Sequence, residues 1–196
     1  MTNEFIANYL DVSSRVLSKL DHVLLNDVVR LIIELRNSGG RLFILGVGGS
    51  AANASHAVND FRKLAHIEAY APTDNTSELT ARVNDEGWET VFSSWLAGSR
   101  LNENDVVMVF SVGGGDSKNS VSVNLIRALE YAKEKGSSTI GIVGRDGGET
   151  AQLADVCVII PTESETLVTP LAESFQSLIW HLLVSHPQIQ VAATKW

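Results

Sequence analysis

Short, continuously apolar segments that alternate with helical patterns are the feature that most constrains the fold of this chain. The segment VVMVF at 106–110 is apolar on consecutive positions, which is typical of a parallel strand covered on both faces by helices. Segments of this kind lie at 41–46, 106–111, 138–143 and 156–160, with a shorter one near 67–71. Helical patterns follow at 50–65, 120–135, 147–154 and 171–185. The alternation predicts an open, three-layer α/β sandwich.

A helical segment precedes the first strand. Residues 4–38 have the pattern of one or two amphipathic helices, and Gly39 and Gly40 end them. Their apolar stripe has no obvious place in the helical layers of the sheet, and it consists of Val23, Leu24, Val28, Leu31, Ile32 and Leu35. We therefore predict a single domain over 1–196, in which 1–38 are oligomerisation helices and 39–196 form the sandwich.

Charge and composition exclude several classes of partner. The net charge is −8 and the pI is near 5.1, without clustered lysine or arginine, so a nucleic acid is not expected as a partner. No segment approaches the roughly 20 apolar residues that span a bilayer, and the start MTNEFIANYLDVSS lacks a leader pattern. We expect a cytoplasmic protein that does not contact membranes. The lone cysteine, Cys157 in VCVII, is interpreted as a buried structural thiol.

Two loops rich in glycine and serine follow predicted strands. GVGGS at 46–50 matches neither the dinucleotide fingerprint nor the P-loop, but Ser50 as an N-cap would gather backbone N–H groups for a phosphate. SVGGGDSKNS at 111–120 repeats this composition before a second helix, and its glycines would let the backbone approach a ligand. The alternatives are an ordinary strand-to-helix turn and a flexible surface loop. Because strand ends meet at one edge of a parallel sheet, we predict that both loops bind one anion.

Four segments carry a resemblance to a known family. GVGGSAANASHAVND, VNDEGWETVFS, VVMVFSVGGGDS and GIVGRDGGETAQLADVCVIIP, in this order and spacing, resemble the sugar isomerase (SIS) domain and in particular the phosphoheptose isomerases. The resemblance covers nearly the whole chain. It implies a flavodoxin-like, five-stranded parallel sheet and a homotetramer. It also implies conversion of sedoheptulose 7-phosphate to D-glycero-D-manno-heptose 7-phosphate, which supplies heptose for lipopolysaccharide or capsule.

The resemblance also implies the residues that bind the substrate. Ser50, Ser111 and either Ser117 or Ser120 would hold the phosphate, and Asp85 would contact the sugar. The neighbouring loop positions complete this set, namely Val47, Gly48, Gly49, Val112 and Gly113. This chain departs from the family in having Val47 where an asparagine is usual, and SVGGG with several extra residues where S-T-S-G-N-S is usual.

Candidate acid–base and metal-binding residues lie on two predicted helices. His56 and Asp60 are four residues apart and share a face, while Glu173 and His181 lie on the last helix. In some family members the corresponding four residues bind zinc, and two of them transfer protons. The resemblance thus implies a zinc site of His56, Asp60, Glu173 and His181, with Asp60 and His181 exchanging protons through an enediol.

Two questions about the last helix stay open at this stage. A one-residue shift of the comparison would place Trp180 at the histidine position. In addition, Glu173 and His181 are separated by a rise of about 12 Å in a regular helix. Both reach one metal only if their side chains lean together, if the helix is distorted near Pro170, or if two subunits contribute.

A different class of function is the main alternative. A SIS domain can serve as a binding module without catalysis, either as a sensor of a sugar phosphate or as a docking partner of another protein, as in the member that associates with a replication initiator. Such a module has no need for the histidines and carboxylates named above.

Overall fold

The computed structural model describes residues 2–194, and within them a parallel sheet of five strands carries helices on both faces. The strands are β1 (Arg41–Leu45), β2 (Glu68–Tyr70), β3 (Val106–Ser111), β4 (Ser138–Val143) and β5 (Val156–Ile159). Their order across the sheet is β2-β1-β3-β4-β5, and every neighbouring pair is parallel. The predicted flavodoxin-like sandwich is confirmed.

Eight helices are present among the described residues. They are α1 (Thr2–Ser18), α2 (His22–Ser38), α3 (Gly49–Leu64), α4 (Thr76–Glu86), α5 (Val91–Gly98), α6 (Val123–Glu134), α7 (Thr150–Leu153) and α8 (Val168–Ser185). Two of them, α4 and α5, were not predicted. The helix α4 has no buried residue, so its sequence lacks the apolar periodicity that identifies a helix. None of the helices described is long and apolar enough to cross a bilayer.

Alternating side chains of each strand supply two separate cores. Leu42 and Ile44 of β1 face a large core formed with α1, α2, α3 and α8, while Phe43 and Leu45 face a smaller core formed with α5 and α6. This alternation follows from the two-residue repeat of a strand and explains why the strands are apolar on consecutive positions. The helices α3 and α8 therefore lie side by side on one face of the sheet.

The N-terminal helices pack on their own chain. Val28, Ile32 and Leu35 of α2 are buried in the large core, so the prediction that the apolar stripe of α2 lacks a place on the sheet is wrong. The helix α1 is also anchored, because Glu163 after β5 accepts hydrogen bonds from Lys19 (2.6 Å) and Arg15 (3.3 Å). These two cations hold the pKa of the Glu163 carboxyl below its ordinary value, Lys19 contributing the larger effect.

A different apolar surface remains exposed on α1. Ile6, Leu10 and Leu17 are 57%, 63% and 50% exposed and lie along one side of the helix, and we refer to them as the α1 apolar stripe. Exposed apolar stripes of this kind are typical of surfaces that contact another protein. The predicted role of residues 1–38 in oligomerisation remains a prediction, now carried by these three residues.

Candidate active site

A cleft lies at the carboxyl ends of β1, β3 and β4, the edge at which open parallel sheets bind ligands. Its volume is about 1260 Å³. Both loops rich in glycine and serine contribute to it, through Val47 and Ser50 from one loop and Ser111, Val112 and Gly113 from the other. The remaining lining residues are Gly115, Asp116, Ser117, Lys118, Val121, Ser122, Arg145, Asp146, Gly148, Glu149, Gln152, Thr162 and Glu165. The two loops therefore line one cleft, and their binding of one anion stays a prediction.

Ser50 offers an unsatisfied hydroxyl to this cleft. The N-cap of α3 is Gly48, with φ of 63°, and not Ser50 as the sequence predicted, because a glycine takes up the left-handed turn two residues earlier. Ser50 therefore lies in the first turn, only 1% exposed, and its Oγ has no hydrogen-bond partner among the described residues. A buried hydroxyl without a partner is costly, so a ligand in the cleft would satisfy it. The first N–H groups of α3 and the positive end of its dipole favour an anion there.

The loop after β3 is fixed against the turn after β4. The carbonyl of Gly114 accepts bonds from the backbone N–H (2.9 Å) and the hydroxyl (2.7 Å) of Thr150, and that of Gly115 accepts from the N–H of Glu149 (3.1 Å). A Cβ at Gly114 would collide with the carbonyl of Gly147. We call this contact of 113–115 with 147–150 the glycine clamp. For Gly114 the prediction of close approach to a ligand is wrong, because the approach is to a neighbouring loop.

The serines of this loop differ in their availability. Ser111 is buried, and its Oγ accepts a bond from the N–H of Gly114 (3.0 Å), which leaves its own proton free to donate. Ser117 donates both its N–H and its hydroxyl to Oε1 of Glu149 (2.6 Å each), and these bonds lower the pKa of the Glu149 carboxyl. Ser120 does not line the cleft, whereas Ser122 does. Ser50, Ser111 and the unpredicted Ser122 are therefore the serines able to donate to a ligand.

The helices α3 and α8 meet along a polar seam. The side-chain amide of Asn53 donates to the backbone carbonyl of Glu173 (2.9 Å) and to Oε1 of Gln176 (3.1 Å). One turn towards the N-terminus of α3, the Glu173 carboxylate lies against the Cα of Gly49, in the space that a Cβ would occupy. Gln176 is fully buried, and its Nε2 has no partner among the described residues. These contacts fix the position of α8 relative to α3. They therefore determine which side chains of the two helices meet towards their C-terminal ends.

His56, Asp60 and His181 meet at the end of this seam. One ligand atom of each lies within 4.8 Å of the others, and Nε2 of His181 is 4.0 Å from Oδ2 of Asp60. Asp60 is buried, and its Oδ1 accepts a bond from the amide of Asn59 (2.8 Å). Nδ1 of His181 lies 2.8 Å from the carbonyl of Ser177. Because a carbonyl only accepts, Nδ1 carries a proton, and Nε2 is the ring nitrogen that faces Asp60.

The donor set and its spacing fit a divalent cation. Two imidazoles and one carboxylate are a known set of protein ligands for catalytic zinc, with a fourth position open for water or substrate. The bond from His181 to the carbonyl of Ser177 is the kind of outer contact that orients a ligating histidine. Rotation of these side chains would bring the three ligand atoms, which lie within 4.8 Å of one another, to zinc-binding distances of about 2.0–2.2 Å.

Two predicted site residues lie outside this cluster. Glu173 was predicted as the fourth metal ligand, but it belongs to the Gly49 end of the seam, as the separation of eight residues along α8 requires. Asp85 was predicted to contact the sugar, but it is exposed in the last turn of α4 and does not line the cleft. Within one chain, neither residue joins the metal-binding group or the lining of the cleft.

Trp180 occupies the buried side of the cluster. Its ring is fully buried, 4.7 Å from that of His56 between centroids, and its Nε1 has no partner among the described residues. His181, the next residue, has a side chain 47% exposed, and its ring centroid lies 5.6 Å from that of His56. The geometry thus favours the interpretation in which His181, and not Trp180, provides the functional nitrogen.

Some residues of the site were not found from the sequence. Arg145 and Lys118 are the basic side chains among those that line the cleft, and Gln176 reaches Asn53 across the seam. The position of Arg145 directly after a strand was the signal that could have identified it, since this is where ligand-binding residues of such sheets lie. Gln176 carries no comparable signal in the sequence, because its role depends on how α8 packs.

Comparison with known proteins agrees with the resemblance found in the sequence. The family model described as "SIS domain" matches residues 4–144. The chain belongs to the SIS-domain family. It is 34% identical over 188 residues to the lincomycin biosynthesis protein LmbN of Streptomyces lincolnensis, covering 92% of this chain and 68% of that protein. It is 32% identical over 191 residues to the phosphoheptose isomerase of Aneurinibacillus thermoaerophilus, covering 92% and 91%.

A solved structure extends the likeness to three dimensions. The phosphoheptose isomerase of Neisseria gonorrhoeae superimposes with a TM-score of 0.82 at 27% identity, over 94% of this chain and 98% of that one. The similarity includes the N-terminal helices as well as the sandwich, since it leaves little of either chain unmatched.

Proposed function

We propose that this chain is a phosphosugar aldose–ketose isomerase that converts sedoheptulose 7-phosphate to D-glycero-D-manno-heptose 7-phosphate. The observation that carries the proposal is that one helix, α3, presents both functional groups. Its first turn offers the unsatisfied hydroxyl of Ser50 to an open cleft, and its middle carries His56 and Asp60. In a regular helix the rise from Ser50 is about 9 Å to His56 and about 15 Å to Asp60, so a sugar held by its phosphate at Ser50 would extend along α3 towards the cluster.

The phosphate end of the substrate would bind at the cleft. The hydroxyls of Ser50 and Ser111, with the first N–H groups of α3, supply neutral donors to phosphate oxygens. These contacts are remote from the bonds that change, so their binding energy orients the sugar chain along α3. The named isomerases among the relatives support this choice of substrate class.

Asp60 and His181 are the proton-transfer pair in this proposal. The reaction moves a proton between C1 and C2 and another between their oxygens, and a carboxylate beside an imidazole can perform both transfers. Oδ2 of Asp60 and Nε2 of His181 face one another across 4.0 Å, which leaves room for a substrate oxygen to bridge them. Asp60 is buried, and the fully buried Trp180 packs against His56, so water is excluded from one side of the cluster.

The same cluster would hold a divalent cation, most suitably zinc. His56, Asp60 and His181 would be its protein ligands, and softer nitrogen donors argue against magnesium or calcium. When bound, such an ion supplies a Lewis acid that polarises the sugar carbonyl. The roles of ligand and proton carrier compete at Nε2 of His181, because a coordinated nitrogen cannot take up a proton.

We also infer that the active form is a cytoplasmic homotetramer, as the family resemblance implies. The α1 apolar stripe supports association, because its three apolar side chains are exposed in the single chain and lie on one side of the helix. The sensor or docking module considered from the sequence is less well supported. It would use the cleft but would give no role to the histidine and carboxylate cluster.

Isomerisation in deuterium oxide tests this proposal directly. Incubation with sedoheptulose 7-phosphate should yield heptose 7-phosphate and place deuterium at C1 or C2, both visible by NMR. Binding of the sugar phosphate without product and without deuterium exchange would exclude the isomerase and favour the binding module.

A further inference from the structure

Arg145 occupies a distinctive place at the cleft. It follows β4 and lines the same cleft as Ser50 and Ser111. The stem of its side chain passes over the loop after β3, since a Cβ at Gly113 would lie 3.5 Å from its Cδ. Among the described residues its guanidinium makes no hydrogen bond and no ion pair. A permanently charged group with five donors is therefore held at the cleft without a partner from the chain.

The backbone of Arg145 is strained. It stands at the second position of the turn 144–147, which is closed by a bond from the N–H of Gly147 to the carbonyl of Gly144 (3.0 Å), and its φ is 54°. A positive φ at that position favours glycine, and for a bulky side chain it is an outlier. Such strain tends to occur at functional sites, where the surrounding structure enforces it. Here the turn that contains Arg145 leads directly into the glycine clamp.

Four carboxylates line the cleft, namely Asp116, Asp146, Glu149 and Glu165, and among the described residues none of them forms an ion pair with Arg145. Three of the four are held by other groups. Asp116 accepts bonds from the backbone and side chain of Asn119, Glu149 accepts from Ser117, and Asp146 accepts from the N–H of Gly148. Each of these three acids is thus engaged by a local donor. Lys118, the other basic residue of the lining, is exposed on the loop beyond the clamp.

We propose that Arg145 binds the phosphate group of the substrate. This inference rests on the proposed function for the identity of the sugar, but its chemistry requires only a phosphate monoester. The loop after β3 has valine and glycines where hydroxyl side chains would otherwise donate, and a guanidinium compensates with charge-assisted, bidentate bonds. Arg145, in the turn after β4, supplies the positive charge. Ser50 and the first N–H groups of α3, which follow β1, and Ser111 at the end of β3 supply neutral donors.

The test uses Arg145→Gly, Arg145→Met and Arg145→Lys in the full chain. Binding of inorganic phosphate is measured by calorimetry, and KM and kcat are measured with sedoheptulose 7-phosphate. The glycine and methionine variants should bind phosphate about tenfold to hundredfold more weakly. KM should rise by a similar factor while kcat changes little, and the lysine variant should recover part of the loss.

Arg100→Gly is the matched control. Arg100 has a φ of 55°, lies between α5 and β3 and does not line the cleft, so its replacement relieves similar strain without touching phosphate. Arg145→Gly should match Arg100→Gly in melting temperature and differ from it in phosphate binding. Equal phosphate affinity in wild type, Arg145→Gly and Arg145→Met would overturn the proposal, as would wild-type protein that binds no phosphate. Phosphate binding that depends on Arg145 without sugar turnover would uphold it and reject the isomerase.

Discussion

Nε2 of His181 lies 4.0 Å from Oδ2 of Asp60, although the two residues belong to helices more than a hundred residues apart in sequence. Asp60 is buried on α3, whereas His181 is half-exposed on α8. A buried acid facing a solvent-accessible imidazole gives each partner a distinct environment. Packing holds the Asp60 carboxylate in place, whereas the His181 ring is accessible to solvent and to a substrate.

Removing either member of this pair should abolish turnover with little effect on binding. We expect Asp60→Asn and His181→Ala each to lower kcat by about 10²-fold to 10⁴-fold, the range for loss of a general acid or base. Substrate affinity should change little, because the phosphate is held elsewhere. His22→Ala, at an exposed position of α2, serves as a control for loss of an imidazole. Retention of full kcat in both site variants would remove the pair from the mechanism.

Metal content gives an independent test of the same cluster. Purified protein should contain zinc. His56→Ala should lose it, because catalytic zinc needs three protein ligands and the variant keeps only two. Glu173→Gln should retain the metal, since Glu173 lies at the other end of the seam. Elemental analysis of the folded variants distinguishes this arrangement from the four-ligand site predicted from sequence, in which Glu173→Gln would also lose zinc.

A methyl group at Gly49 should disturb the seam. Gly49→Ala would place a Cβ against the Glu173 carboxylate, so we expect a loss of about 1–3 kcal/mol in the free energy of unfolding, as for other overpacked sites. Adding Glu173→Ala should restore stability. Gly98→Ala is the matched control, because its Cβ would meet the flexible end of Arg82. Thermal and urea unfolding measure these effects, and an additive double variant would contradict direct contact.

The pH dependence of the loop after β3 follows from Glu149. Hydrogen bonds from Ser117 lower the pKa of this carboxyl, so they stabilise the loop at neutral pH and are lost as pH falls through that lowered value. At pH 7, Glu149→Gln should speed hydrogen exchange at the Ser117 amide because a charged acceptor is replaced by a neutral one. Exchange at the Thr150 amide, within the glycine clamp, should be unaffected. Equal rates of hydrogen exchange at the Ser117 amide in the wild type and in Glu149→Gln would contradict this prediction.

Charge on the α1 apolar stripe should prevent association. Leu10→Lys with Leu17→Lys should shift the mass measured by light scattering from a tetramer to a smaller species, because each lysine would have to be buried at the interface. Val191→Lys, at another exposed apolar position, is the control and should leave the mass unchanged. A wild-type mass of one chain would contradict the inferred tetramer.

The sequence predicted those parts of the fold that have a local signal. Strands β3 and β4 were placed at their observed bounds, because runs such as VVMVF are buried on both faces. The helix α4 was missed because nothing in it is buried. At the site, helical spacing predicts that His56 and Asp60 share a face, and the family resemblance selected them as site residues. The position of Glu173 against Gly49 does not, because it depends on the register between α3 and α8, which no local pattern contains.

The glycine clamp divides the cleft into a floor and a rim. The floor is the backbone from 113–115 against 147–150, where three hydrogen bonds and close carbonyl contacts leave no space for added atoms. The rim, from Asp116 to Ser122, lies beyond the clamp and is closed by its own bridge between Asp116 and Val121. Added residues are therefore accommodated at the rim without moving the floor. Under the proposed function, the length and chemistry of the rim would change which sugar enters, while the backbone beneath the phosphate would stay the same.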